Sequence, residues 1–218
     1  MNISAAGALA SPASRRELNK AATRQNITEA ALGLLRANGP GNFTAEDIAE
    51  AAGISRRTFF NYFNSTDAAL AAITHGFLDN AIQQLRLRPA GEPIMESAQA
   101  ALMALADPAA VAPLAELFSL TSESALMSQS ELAAWDYCRE QITGVVRERT
   151  SGAAGDLYAH ALAGSVIACG KAALETWFRQ WGPDLSAESL AALRGQLIDA
   201  MALLGSGFTA PQPSPRSS

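Results

Sequence analysis

Histidine and cysteine are almost missing from this chain. Two histidines, His75 and His160, and two cysteines, Cys138 and Cys169, stand far apart in the sequence and make no His-x-x-His or paired-cysteine spacing. A metal site therefore has little support, and no cofactor is expected. So few cysteines speak against a disulfide-stapled framework and fit a reduced cytoplasm. Gly-rich phosphate loops and a Gly-x-Ser-x-Gly elbow are absent, as is any pairing of nucleophile and base or cluster of carboxylates, which argues against an enzyme. The longest uncharged apolar run, "LYAHALAGSVIACG" at 157–170, has fourteen residues; a membrane helix needs about 20, so the run reads as a buried helix. The first basic residues, Arg15 and Arg16, follow rather than precede a mild apolar stretch, so no signal peptide is expected.

Alanine and leucine dominate what is there, with aromatics at only 6%, and an all-α fold is expected. At 218 residues and 49% hydrophobic the chain can bury a real core. Its charge is uneven. Residues 1–90 carry nine Arg/Lys against seven Asp/Glu, and residues 91–218 carry seven against fourteen, so the parts differ in sign, +2 against −7. That split suits a DNA-contacting first part and a second part with another task.

Residues 1–14 and 208–218 lack periodicity and read as disordered tails. A first helix, starting near Arg16 to Thr23 and ending at "NGPGN", has Ile27, Ala30, Ala31, Leu34 and Leu35 on one face. Thr44 caps a short second helix with Asp47 three residues on, an imperfect capping box. Ser55 caps a third helix through about Phe63, and a fourth runs from about Ser65 to Leu87. "RLRPAGEP" at 86–93 breaks the pattern, and five more helices are expected at about 92–106, 109–127, 130–150, 154–181 and 185–205. The expected domains are 15–81 and 82–207.

The stretch "GISRRTFFNYFNST" at 53–66 holds the strongest functional signal. With Ser55 as N-cap, Arg56 and Arg57 fall in the first helical turn, at the positive end of the helix dipole, where a cation is disfavoured by roughly 0.3–1 kcal/mol. Two short helices joined by a glycine turn over 44–63 form a helix-turn-helix, whose second helix lies in the DNA major groove. Phosphates or guanine edges then supply the missing negative charge, and either arginine can fork onto guanine O6 and N7. On spacing alone, a merely solvated pair of arginines is an equal alternative.

Residues 24–70 resemble the N-terminal domain of the tetracycline-repressor (TetR) family of bacterial regulators. The resemblance rests on Ile27, Ala30–Ala31, Leu35, Gly39, Thr44, Ile48–Ala49, Ala52–Ser55, Thr58, the aromatics to Phe63, and Leu70. It implies phosphate contacts by Thr44, Thr58 and Tyr62, bases or adjacent backbone faced by Arg56, Arg57 and Asn61, and Phe59 and Phe63 in the core; Ser55, at the start of the same helix, is counted with the DNA-binding residues. Two positions depart from the family. Phe60 replaces a frequent tyrosine, leaving only apolar contact, for example with a thymine methyl, and Thr66 replaces a frequent lysine at the start of the fourth helix. Both changes weaken backbone binding. Arg15, Arg16 and Lys20 read equally as a basic arm or as solubilising charges.

The resemblance implies that the C-terminal part makes a homodimer and holds an effector. Leu190, Leu193, Leu197, Met201 and Leu204 form a stripe at spacings of three and four on the last helix, read as the dimer interface in a four-helix arrangement. Met95, Met103, Phe118, Met127, Trp135, Tyr137, Trp177 and Phe178 are the candidate pocket residues, since thioethers and aromatics line adaptable cavities. "RLRP" and "ALETWFRQWG" are similar to the C-terminal domain of regulators related to the mycofactocin-system regulator, which implies acyl-coenzyme-A-like ligands. The expected function is a homodimeric regulator, most simply a repressor, that leaves a palindromic double-stranded operator when a small, largely apolar effector binds. Two alternatives stay open: an architectural or partner-regulated DNA-binding protein, and a helical lipid carrier or enzyme.

Overall fold

The computed structural model describes residues 12–121, 129–150 and 155–208. Among them there is no strand, and nine helices follow in order: α1 (Pro12–Asn38), α2 (Ala45–Ala51), α3 (Arg56–Tyr62), α4 (Thr66–Arg86), α5 (Ile94–Ala104), α6 (Pro108–Thr121), α7 (Gln129–Arg149), α8 (Gly155–Trp181) and α9 (Ala187–Gly205). The all-α expectation holds. Helix α1 starts at Pro12, inside the expected N-terminal tail; proline is accommodated in a first turn, where its missing N–H costs no helical hydrogen bond.

The chain divides into two compact units, Met1–Leu70 and Ala71–Ser218. The division falls within α4, ahead of the 81/82 boundary expected from sequence. Phe77, Leu78, Ala81, Ile82 and Leu85 explain the difference, because all five are buried in the core of the C-terminal unit.

In the N-terminal unit Ile27, Ala31 and Leu35 of α1 are buried, as are Ile48, Ala49, Ala52, Phe59 and Phe63. Helix α1 packs on α2 and α2 on α3. Two long polar side chains of α1 clip the short helices in place. Asn26 Nδ2 donates to the Ala52 carbonyl at 3.0 Å, satisfying a helix-end acceptor that α2 leaves free. Arg24 donates through Nη1 to the Tyr62 carbonyl at 3.3 Å, and its guanidinium lies 4.3 Å from the Phe63 ring centroid.

The C-terminal unit is built around α8, which packs along α7 and α9. By length and composition α8 would pass for a membrane span, but nine of its residues, from Ala159 to Phe178, are buried in this chain. It is a core helix. Trp177 is fully buried, and its Nε1 donates to both the carbonyl and the hydroxyl of Ser189, each at 2.9 Å. Gly170 lets α5 come close: a Cβ there would lie 3.1 Å from Leu102 Cδ2.

Arg149, at the end of α7, binds three segments together. Its Nη2 donates to the Leu85 and Arg88 carbonyls at 2.8 Å each, where α4 ends, and its Nη1 donates to Ser97 Oγ of α5 at 2.6 Å. A cation there suits the carbonyl end of α4. Glu92 completes the group by pairing with Arg88 and accepting from Ser97 Oγ. The Arg88 hydrogen bonds, then the one from Ser97, hold its carboxyl at about 2, well below the usual 4.5.

Candidate nucleic-acid interface

Helix α2 is closed at both ends by local hydrogen bonds. Thr44 caps α2: its side chain accepts from the Asp47 N–H while Asp47 Oδ2 accepts from the Thr44 N–H at 2.7 Å, so the capping box is complete. Thr44 Oγ1 also donates to Asp47 Oδ2 at 2.8 Å; that bond first, then the one from the Thr44 N–H, lowers the Asp47 pKa. At the other end Gly53 N–H donates to the Glu50 carbonyl at 3.0 Å and Ile54 N–H to the Ala49 carbonyl at 2.9 Å. That pair of bonds is a Schellman stop, and it needs a left-handed residue at Gly53, whose φ is +65°. Ser55 then caps α3, accepting from the Thr58 N–H at 3.0 Å and sharing a 2.8 Å hydroxyl contact with Thr58.

Helix α3 has two unlike sides. Phe59 and Phe63 beyond it are buried, whereas Arg56, Arg57, Phe60 and Asn61 are exposed, Phe60 by 47%. Thr58, Tyr62 and Thr66 are half-buried, and Thr44 and Ser55 are exposed. The structure therefore gathers all nine candidate contact residues along α2's start, α3 and α4's first turn. No acidic residue sits in the first turn of α3, so the two arginines there meet the dipole uncompensated. The sequence reading missed two couplings. Arg24 on Phe63 is one, and the other is Arg56, whose guanidinium carbon lies 5.5 Å from the Phe60 ring centroid. The only sequence signal for the second was the i,i+4 spacing.

The C-terminal expectations need correcting. Leu190, Leu193, Leu197 and Met201 are buried within this chain, and Leu204 packs partly buried on the same side. A stripe consumed by its own core is not available as a dimer face. The outward surfaces of α8 and α9 carry instead Ala161, Ala168 and Ala172, and Ala191, Ile198 and Ala202.

Nor do the candidate pocket residues enclose one cavity. Trp177 and Phe178 are buried core, and Phe118 stacks on Phe178 with ring centroids 4.6 Å apart. Met95 packs on the smaller buried cluster, Trp135 on the larger with Lys171 Nζ 5.6 Å over its ring, and Tyr137 is exposed beside His75. Met127 lies outside the described residues. Of the candidates, Met103 borders a cleft of about 600 Å³ in this unit, whose other walls include Asn80, Gln84, Asp107 and Arg194. Arg194, the lone cation of α9, donates to the Ala106 carbonyl at 3.2 Å. Both thiols are buried: burial first, then Asp79, pushes Cys138 up to about 12, and burial raises Cys169. No grouping of metal-binding side chains occurs among the described residues.

Residues 27–73 match the family model of bacterial regulatory proteins of the tetR family, and residues 92–208 match the MftR C-terminal domain. A Mycobacterium tuberculosis protein assigned as the mycofactocin biosynthesis transcriptional regulator MftR is 29% identical over 185 residues, covering 79% of this chain and 88% of that protein. Among solved structures, a tetR-family transcriptional regulator from Streptomyces coelicolor superposes with a TM-score of 0.53 at 18% identity, over 85% of this chain and 82% of that one. Thermus thermophilus FadR, a TetR-family repressor in complex with lauroyl-CoA, superposes with a TM-score of 0.52 at 22% identity, over 89% of this chain and all of that one. The capped turn, the two-sided α3 and an MftR-type domain over more than half the length make this chain a member of the TetR family, a transcription regulator with a DNA-binding helix-turn-helix and a ligand-binding helical domain, and not an enzyme.

Proposed function

We propose that this regulator is a cytoplasmic homodimeric repressor, which holds a palindromic operator and releases it when a largely apolar, acyl-thioester-like effector occupies the C-terminal unit. The observation that carries the reading is the exposed side of α3, where Arg56, Arg57, Phe60 and Asn61 stand opposite buried Phe59. Thr44, Thr58, Tyr62 and Thr66 flank it as phosphate contacts, in keeping with the half of protein–DNA hydrogen bonds or more that go to the backbone. Thr44 already spends its hydroxyl hydrogen on Asp47, so its reach to phosphate requires that hydrogen to turn outward, whereas in the Ser55–Thr58 contact either hydroxyl can donate.

Dimerisation is supported by the outward faces of α8 and α9, where small residues allow close approach and Ile198 is 41% exposed. A two-fold pair of such faces presents two α3 helices to two half-sites. The effector class is supported by the MftR-type domain and by the lauroyl-CoA complex of the FadR neighbour.

Three measurements test the reading together: sedimentation, anisotropy on DNA from upstream of the chain's own gene, and melting with a panel of acyl-CoA thioesters. The expected outcome is a dimer that binds that DNA and melts higher, and lets go, with at least one thioester. Ile198→Glu is expected to give a folded monomer with weak operator binding. A monomer that binds normally, or a panel that moves neither melting nor binding, refutes the corresponding part.

A further inference from the structure

We infer that Arg56, and not Arg57, reads a guanine in each half-site, and that Phe60 is its positioning residue while also touching the methyl of a neighbouring thymine. The inference rests on the DNA-binding assignment of α3 and adds which side chain reads and what aims it. Its basis is a chain of rings running from the core to the surface. Phe59 is fully buried and lies 6.1 Å from Phe63. Phe60 meets Phe59 edge-on at 5.3 Å with an interplanar angle of 89°, so its ring is braced by a fully buried residue. Arg56 lies over that braced ring at 5.5 Å, within the roughly 6 Å at which a cation is held by an aromatic face.

Arg57, one residue on, is exposed and has no ring, carboxylate or carbonyl partner among the described residues. The two arginines therefore differ before any DNA arrives. One is pre-aimed and the other must be ordered by what it binds. A guanidinium held by a ring through its charge spends none of its N–H donors on that contact, so they are left to match guanine O6 and N7. An unaimed arginine finds a phosphate at many rotamers, whereas a base edge accepts few. Phe60 lacks a hydroxyl that would draw its ring toward phosphate, and its exposed half is apolar, the surface that a thymine methyl meets.

The test uses the full-length protein and a library of randomised duplexes, retained and sequenced at several salt concentrations, with Arg56→Ala, Arg57→Ala, Phe60→Leu and Phe60→Trp. Wild type is expected to retain a half-site with a guanine beside a thymine. Arg56→Ala should lose the preference for that guanine, a discrimination of about 5- to 150-fold. Phe60→Leu keeps apolar contact but has no ring face, so it should lower the guanine preference at least about threefold while sparing the thymine. Phe60→Trp should restore the guanine. Arg57→Ala should weaken all duplexes alike and lower the salt slope by about one contact. Unchanged melting curves show that each variant is folded. The inference is overturned if Arg57→Ala is the variant that erases the guanine, if Phe60→Leu weakens every duplex equally, or if the retained half-site has no guanine. A wild type that retains no duplex overturns the DNA-binding assignment as well.

Discussion

Arg149→Ala is expected to be the most costly single truncation of a polar side chain in the C-terminal unit. One guanidinium serves the Leu85 and Arg88 carbonyls and the Ser97 hydroxyl, all within 2.6–2.8 Å. Hydrogen bonds to a charged donor contribute about 1.5–3 kcal/mol each, and a buried acceptor left without one costs about 1–3 kcal/mol. The three share one donor group and part of the site is open to water, so they do not add. A total of about 2–4 kcal/mol is expected. For a chain of this length each kcal/mol lowers the melting temperature by roughly 2–4 °C, so the drop should be about 4–16 °C. Calorimetry on wild type and variant reads it, and hydrogen exchange should show lost protection at the end of α4 and the start of α5 before anywhere else. Arg149→Lys should recover less than half, because a point ammonium does not span three acceptors. If the alanine variant melts within about 1 °C of wild type, water serves those acceptors as well as the arginine does and the reasoning fails.

Gly53→Ala should destabilise the N-terminal unit by about 1–2 kcal/mol, the cost of a side chain at left-handed φ, since no atom lies within 4 Å of the added Cβ to blame instead; a neutral melt refutes it. Glu92 and Asp47 both titrate below their usual range, so the stability they contribute is complete above about pH 4.5 and fades as acid carries Glu92 toward about 2. Glu92→Gln should flatten the acid limb of a melting-temperature profile; an unaltered limb means the Arg88–Glu92–Ser97 group does not drive it. Thr66→Lys should tighten binding to operator and unrelated DNA by similar factors and steepen the log–log salt slope by about 0.9. An unchanged slope places the start of α4 away from the phosphates.

The parts of the molecule that sequence reasoning reached are those settled by neighbours in the chain. Thr44 with Asp47, Ser55 with Thr58, and the Gly53 stop are contacts of three to five residues, and their residue types announce them. The family resemblance implies Phe59 in the core, and it is fully buried. The α9 stripe shows the limit. Periodicity located Leu190, Leu193, Leu197 and Met201 on one buried face, but it reports that a face is covered and not by which chain. Trp177 shows a second limit, since an aromatic that lines a cavity and one that fills a core have the same letter and spacing. Its hydrogen bonds to Ser189 are what distinguish it. Arg149 was invisible for a third reason: its partners at Leu85 and Arg88 lie more than sixty positions away, and two of its three acceptors are atoms every residue has.

The two buried thiols make this regulator convenient for labelling. With Cys138 held near 12 and Cys169 also raised, both are buried, poor sources of thiolate for a maleimide. A single cysteine placed at an exposed position such as Asn61 therefore becomes the one reactive handle without removal of the natural pair. Cys138 in turn becomes a clock. On α7 it is 1% exposed, so the rate at which it takes up reagent measures how often the C-terminal core opens, with or without a bound effector.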